Sequence, residues 1–140
     1  MSSLSELRQD HAELVKIVGE LKVMIGCETP PPSVDLFDVR RRLTGRLIAH
    51  LKAEDWVLYP PLLASPDTES ADTARHFVDE MGGLAKAFTA FVERWDAHSI
   101  GIDWPGYQRD AGGIIAALTN RIVCENRDLY PLLENLGLAA

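Results

Sequence analysis

The chain has 140 residues, 46% of them hydrophobic, which is long enough for a single domain over residues 1–140 with a buried core. Its formal net charge of -7 argues against DNA or RNA as a partner, since nucleic-acid binding relies on clustered Lys and Arg to displace counterions. No apolar run approaches the roughly 20 residues of a membrane-spanning helix, and no basic segment leads into an apolar one at the N-terminus, so no secretion signal is expected and the cytoplasm is the expected location.

The first helix is expected to open with a capping box, Ser3 followed three residues later by Glu6. Leu4, Leu7, His11, Leu14, Val18, Leu21 and Ile25 then recur every three or four residues, a heptad seam with one polar member. Thr29-Pro30-Pro31-Pro32 ends it, because proline lacks the amide hydrogen and clashes with the preceding turn. Cys27 in this break and Cys124 later lack CxxC spacing and are expected to be small buried fillers.

The second helix carries Leu36, Val39, Leu43, Leu47, His50, Glu54 and Val57 in its seam and runs to about Leu62; its Arg40-Arg41-Arg42 run is expected to be a solvated face. Ser65-Pro66-Asp67 breaks the chain again. The third helix presents His76, Glu80, Leu84, Ala87, Phe91 and Trp95, flanked by Phe77, Met81 and Phe88, with Gly82-Gly83 inside it. A last break holds His98, expected to be solvated, Gly101 and Trp104-Pro105. The fourth helix opens at Asp103 or Trp104 and lines up Ala111, Ile114, Leu118, Arg121, Glu125, Asp128 and Leu132. Long amphipathic helices joined by short breaks predict an all-α, antiparallel up-down-up-down four-helix bundle.

Two segments echo each other: His50-Leu51-Lys52-Ala53-Glu54-Asp55-Trp56-Val57-Leu58-Tyr59-Pro60 and Arg121-Ile122-Val123-Cys124-Glu125-Asn126-Arg127-Asp128-Leu129-Tyr130-Pro131. Glu, Leu, Tyr and Pro keep one register, but the first copy opens with His and the second with Arg. His and Glu four residues apart on a helix point the same way, as two ligands of one metal would. Tyr59 and Tyr130 are expected to pack at helix ends beside the prolines, and Trp56, Trp95 and Trp104 to serve core or interface packing.

Each helix thus places a metal-ligating side chain in its seam: His11; His50 with Glu54; His76 with Glu80; and Glu125. Burying carboxylates there is unfavourable by several kcal/mol unless something compensates them. At 1.5 Å per residue the candidates lie about 9–15 Å from the same end of an antiparallel bundle, in one layer. Imidazoles and carboxylates converging between four helices suit iron or manganese.

In this order and spacing the motifs resemble the hemerythrin-like, HHE cation-binding family, over nearly the whole chain from His11 to Leu133. The resemblance implies a non-haem di-iron site, used by relatives to bind dioxygen or to sense dioxygen or nitric oxide. Carried over by position, His11 and His50 look like terminal ligands of one iron, Glu54 and Glu125 like bridging carboxylates, and His76 like a ligand of the second iron. Glu80 matches the acidic position of the third-helix motif. Arg121 stands where the family usually has its fourth-helix His; guanidinium stays protonated and offers no lone pair. These residues admit three outcomes: two metals on His11, His50, Glu54, His76, Glu80 and Glu125, one metal, or a metal-free bundle in which Arg121 neutralises the glutamates.

No nucleophile triad or phosphate loop is present, so dedicated turnover is not indicated. The leading expectation is a small metal-binding protein whose iron binds or senses dioxygen or nitric oxide. The rival is a metal-free helical module acting through a partner or as a homo-oligomer such as a homodimer.

Overall fold

The computed structural model describes residues 4–135. The described residues are helical, with no strand among them, and no helix is long and apolar enough to cross a membrane. In chain order they form α1 (Leu4–Ile25), α2 (Ser33–Lys52), a π-helical turn (Ala53–Leu58), α3 (Tyr59–Leu63), α4 (Thr68–Met81), α5 (Leu84–Arg94), α6 (Ala97–Ile102), α7 (Trp104–Cys124), a second π-helical turn (Glu125–Leu129) and α8 (Tyr130–Asn135). The capping box expected at Ser3 lies outside the described residues.

Prolines and capping aspartates set the boundaries. Asp67, Asp96 and Asp103 each accept the backbone N–H three residues on, from Ser70 at 3.1 Å, Ser99 at 2.8 Å and Gly106 at 3.0 Å, which starts α4, α6 and α7. The free carbonyls at the end of α1 are taken up from α7: Gln108 Nε2 donates to Ile25 and Trp104 Nε1 to Cys27, at 2.8 and 3.0 Å. The predicted third helix is two helices. Gly82 and Gly83 separate α4 from α5, and a Cβ on Gly82 would stand 2.5 Å from the Val78 carbonyl oxygen, so the close turn there excludes a side chain.

Paired contacts give the helix directions. Asp10 reaches Arg46 and His50, while Glu20 meets Arg42 at 2.8 Å, so α1 and α2 run in opposite senses. Ile25 pairs with Gln108 and His11 with Glu125, which sets α1 against α7 in the same way. Trp95 donates to Asp110 and Arg121 to Met81, which sets α7 against α4 and α5.

Apolar side chains gather into two clusters. The larger joins α1, α2, α5, α6 and α7 through Leu14, Leu21, Leu43, Leu47, Phe88, Trp95, Tyr107 and Leu118 among others. The smaller joins Leu4, Leu7, Tyr59, Leu62, Ala74, Phe77, Leu129, Tyr130 and Leu133. A buried polar layer of His11, His50, Glu54, Arg121 and Glu125 accompanies them.

Several surface expectations are corrected. Arg40 is buried, its guanidinium 4.6 Å from the Phe37 ring centroid, because its stem lies along the core while Arg41 and Arg42 pair outside with Asp38. Cys27 is exposed and Cys124 half-buried, so neither fills the core. Trp95 and Trp104 are buried as expected, whereas Trp56 is 73% exposed beside Lys52, since the π turn carries it away from the core-facing stripe.

Leu47 is fully buried in the larger cluster. Leu47→Ala is expected to lower stability by about 2–5 kcal/mol through lost burial and the cavity left behind, measured as a shift in the urea midpoint at constant slope.

Candidate metal centre

Each π turn sits where the echoed sequence has Glu followed five residues later by Tyr and then Pro. Proline cannot donate to the helix ladder and crowds the carbonyl four residues before it. The helix widens instead: Tyr59 N–H bonds back five residues to the Glu54 carbonyl, and Tyr130 N–H to the Glu125 carbonyl. The widened turns begin at or beside the two glutamates and carry both into the bundle interior, where neither has any exposed surface.

There they meet the two histidines. His11, His50, Glu54 and Glu125 are all buried, and one ligand atom from each lies within 4.8 Å of the others. Ligands about 2.0–2.2 Å from a common ion stand some 3–4.5 Å apart, so small adjustments suffice to enclose one. His11 Nε2 lies 3.1 Å from Glu125 Oε1 and 4.0 Å from Glu54 Oε2. His50 Nε2 lies 3.2 Å from Glu54 Oε1, off the line a hydrogen bond needs, and this buried nitrogen has no hydrogen-bond partner.

The outer ring nitrogens are fixed from behind. His11 Nδ1 is 2.9 Å from Asn126 Oδ1 and His50 Nδ1 is 3.0 Å from Asp10 Oδ2. The Asp10 carboxylate accepts, which assigns the proton of a neutral His50 to Nδ1 and turns its Nε2 lone pair toward Glu54, while His11 Nε2 lies 3.1 Å from Glu125 Oε1 and 3.0 Å from the Tyr130 hydroxyl. A lone pair facing a carboxylate is repulsive unless a proton or a metal cation stands between them, and outer-sphere acceptors on Nδ1 are what metal-binding histidines require.

The tyrosines cross over. Tyr59, beside Glu54 in sequence, donates its hydroxyl to Glu125 Oε2 at 2.7 Å, and Tyr130, from the other copy, donates to Glu54 Oε2 at 2.7 Å. They do more than the helix-end packing expected of them. Burial and the adjoining carboxylates push both phenols far above their ordinary value, so they remain donors at any working pH.

Arg121 lies on the other side of the glutamates, buried with them. Its Nε donates to Glu125 Oε2 at 3.2 Å, its Nη2 to Glu54 Oε1 at 3.1 Å and to Asp55 Oδ1 at 2.9 Å, and its Nη1 to the Met81 carbonyl at 3.2 Å. Burial works against this charge, but the surrounding carboxylates outweigh it and hold the guanidinium protonated. A cavity of about 280 Å³, lined by Arg121 and Tyr59 with Asp55, Trp56, Phe77 and Gly82, opens beside it.

Of the six candidates, the structure brings together His11, His50, Glu54 and Glu125 and leaves His76 and Glu80 exposed, outside the cluster. On α4 the buried stripe is Ser70, Ala74 and Phe77. His76 stands one residue, about 100° around the helix, from Phe77; the phenyl ring takes the interior and the imidazole and carboxylate keep their hydration. Asp10, Asp55 and Asn126 were not singled out in the sequence. For two of them a signal existed, since Asp55 and Asn126 directly follow the echoed glutamates.

The family model for the hemerythrin HHE cation-binding domain matches residues 2–133. The chain belongs to this family. No curated protein and no solved structure matches it. As a member of the hemerythrin HHE family it carries a buried His/Glu cluster consistent with a metal site.

The titration of the metal-free hemerythrin-like cluster follows from its charges. Burial pushes the Glu54 carboxyl up, but His50 and Arg121 overcome this and hold it near 2, below its ordinary 4.5. Burial and the Glu54 charge push Glu125 the other way, above its ordinary value. Burial depresses His50, yet Glu54 and Asp10 raise it above 6.5. A depressed acid contributes stability that is present above pH 4.5 and lost as pH falls through its folded value; a raised histidine contributes stability that is full below 6.5 and lost as pH rises through its folded value. Glu125 opposes the Glu54 effect above pH 4.5, where its raised value weakens the fold. The Tm of the metal-free protein is therefore expected to fall on acidification from pH 4.5 toward 2, followed by thermal melts in EDTA. Arg121→Ala should destabilise the metal-free protein by about 3–5 kcal/mol, because it leaves buried carboxylates without their cation; a loss under about 1 kcal/mol in urea titrations would show that the pairs contribute as little as surface ones.

Proposed function

We propose that this hemerythrin-like protein binds iron between His11, His50, Glu54 and Glu125, and that the iron binds or senses dioxygen or nitric oxide. The observation that carries the reading is the orientation of the histidines. Both Nδ1 atoms are anchored, on Asn126 and Asp10, and both Nε2 atoms face the glutamates, with that of His50 lacking any hydrogen-bond partner. Two nitrogens and two carboxylates form a mixed donor set that suits a first-row divalent metal such as iron.

When bound, iron supplies an open coordination position and a redox-active centre for a diatomic ligand. The chain supplies the rest. His11 and His50 offer neutral donors whose rings are already oriented, and Glu54 and Glu125 offer charge. Tyr59 and Tyr130 hold the carboxylates through their hydroxyls and limit their swing. Apolar side chains from two clusters accompany the layer, and a cavity lined by Arg121 and Tyr59, which both hydrogen-bond to Glu125, offers room for a small molecule beside it. Cytoplasmic placement remains part of the proposal.

Metal analysis after expression in iron-supplemented medium and anaerobic ferrous reconstitution checks this reading. Retained iron is expected, with an absorption spectrum that changes on adding air or nitric oxide. Below about 0.2 metal per chain the metal reading fails, and the rival, a metal-free module whose glutamates are neutralised by Arg121, takes its place. Retained iron with a spectrum indifferent to both gases would remove the diatomic ligand and leave the metal.

A further inference from the structure

We propose that the guanidinium of Arg121 occupies the place of a second metal, so that the centre is mononuclear, with one divalent cation on the histidine side of the glutamates and a tethered organic cation on the other. The inference rests on the metal-binding reading above and concerns how many ions that site takes.

Both glutamates are divided between the two sides. Glu125 turns Oε1 to His11 at 3.1 Å and Oε2 to Arg121 Nε at 3.2 Å. Glu54 lies 3.2 Å from His50 Nε2 and 3.1 Å from Arg121 Nη2 through Oε1, while Oε2 lies 4.0 Å from His11. Carboxylates shared in this way bridge two positive centres. On the histidine side two Nε2 atoms face the carboxylates, that of His50 without a hydrogen-bond partner; on the other side a cation is carried by α7.

Among the described residues the second position has no other means of holding a metal. Arg121 offers no lone pair. His76 and Glu80, on the helix that faces it, are exposed. Its remaining carboxylate, Asp55, is already paired with Arg121 at 2.9 Å. A metal entering there would have to displace a guanidinium bonded to Glu54, Asp55, Glu125 and the Met81 carbonyl, all in a layer where Arg121 is 2% exposed.

Charge gives the same count by an independent route. Glu54, Asp55, Glu125 and Asp10, offset by Arg121 and by Arg46 beside Asp10, leave two negative charges, which one divalent ion neutralises. A second divalent ion would give the buried layer an excess of positive charge around a guanidinium that cannot deprotonate.

Anaerobic titration of the metal-free protein with cobalt(II), followed by absorption, and iron-to-protein ratios after ferrous reconstitution test the count. The wild type is expected to saturate at one equivalent and Arg121→His, which exchanges the guanidinium for a donor four residues before Glu125, at two. Two equivalents in the wild type overturn the inference and leave the metal reading intact; none in either protein removes the metal reading itself. One equivalent in both overturns the assignment of Arg121 as the occupant. Should Arg121→His not fold, Arg121→Gln provides the second measurement: the rise in Tm on adding cobalt(II) should be larger than in the wild type, because the metal no longer shares the carboxylates with a fixed cation. An unchanged rise overturns the proposal.

Discussion

Two glutamate carboxylates with no exposed surface face one another between four helices, and most of the local structure answers the need to neutralise them. In a low-dielectric interior, unpaired charges of like sign a few ångströms apart are unfavourable by several kcal/mol. Arg121 supplies one compensating charge and two tyrosine hydroxyls supply hydrogen bonds, while the histidines present nitrogens that complete the compensation when a proton or a metal lies between. Remove the carboxylates and the rest of the layer loses its reason: Arg121 would keep only Asp55 as an anionic partner, and His50 Nε2 would face nothing.

The layer is built twice from one local device. Glutamate, then tyrosine five residues on, then proline gives a widened helical turn in each copy, and each tyrosine reaches across to the glutamate of the other. The copies differ where they begin. His50 in the first leaves a lone pair toward its glutamate, and Arg121 in the second leaves a charge. One repeated backbone device thus ends in two chemically opposite halves, one presenting an imidazole lone pair and one already holding its own cation.

The helical class, the first two breaks and the four clustered residues were legible in the sequence because each leaves a local mark, whereas Gly82-Gly83, expected inside a helix, separates two, and most of the expected last break is the short helix α6. Prolines ended helices, seam positions recurred at helical spacing, and His11, His50, Glu54 and Glu125 stood at core positions with no apolar reason to be there. The face of α4 was not legible: His76-Glu80 and Phe77-Met81 both fit the three-and-four spacing, and only packing against the other helices selects Phe77. The tyrosine crossover and the anchoring of His11 by Asn126 and of His50 by Asp10 were hidden for a related reason, since they join residues 40 to 115 positions apart whose pairing depends on the tertiary arrangement. Arg121 was recognised as the departure from the family pattern, but its four acceptors, including Asp55 and the Met81 carbonyl, emerge only when α7 lies against the first π turn and the end of α4.

Stability alone does not account for this layer. Replacing a buried network of ion pairs by apolar side chains of similar volume is often neutral or stabilising by about 1–4 kcal/mol, and two apolar clusters already provide surfaces that such side chains would join. The network also lacks the completeness of a purely structural one: Arg121 finds acceptors for all three of its nitrogens, whereas His50 Nε2 is buried beside a carboxylate without a hydrogen bond. A polar layer satisfied around Arg121 but leaving His50 Nε2 without a partner is what a cation site on the histidine side requires, since a buried, negatively charged and already oriented donor set is consistent with a metal site.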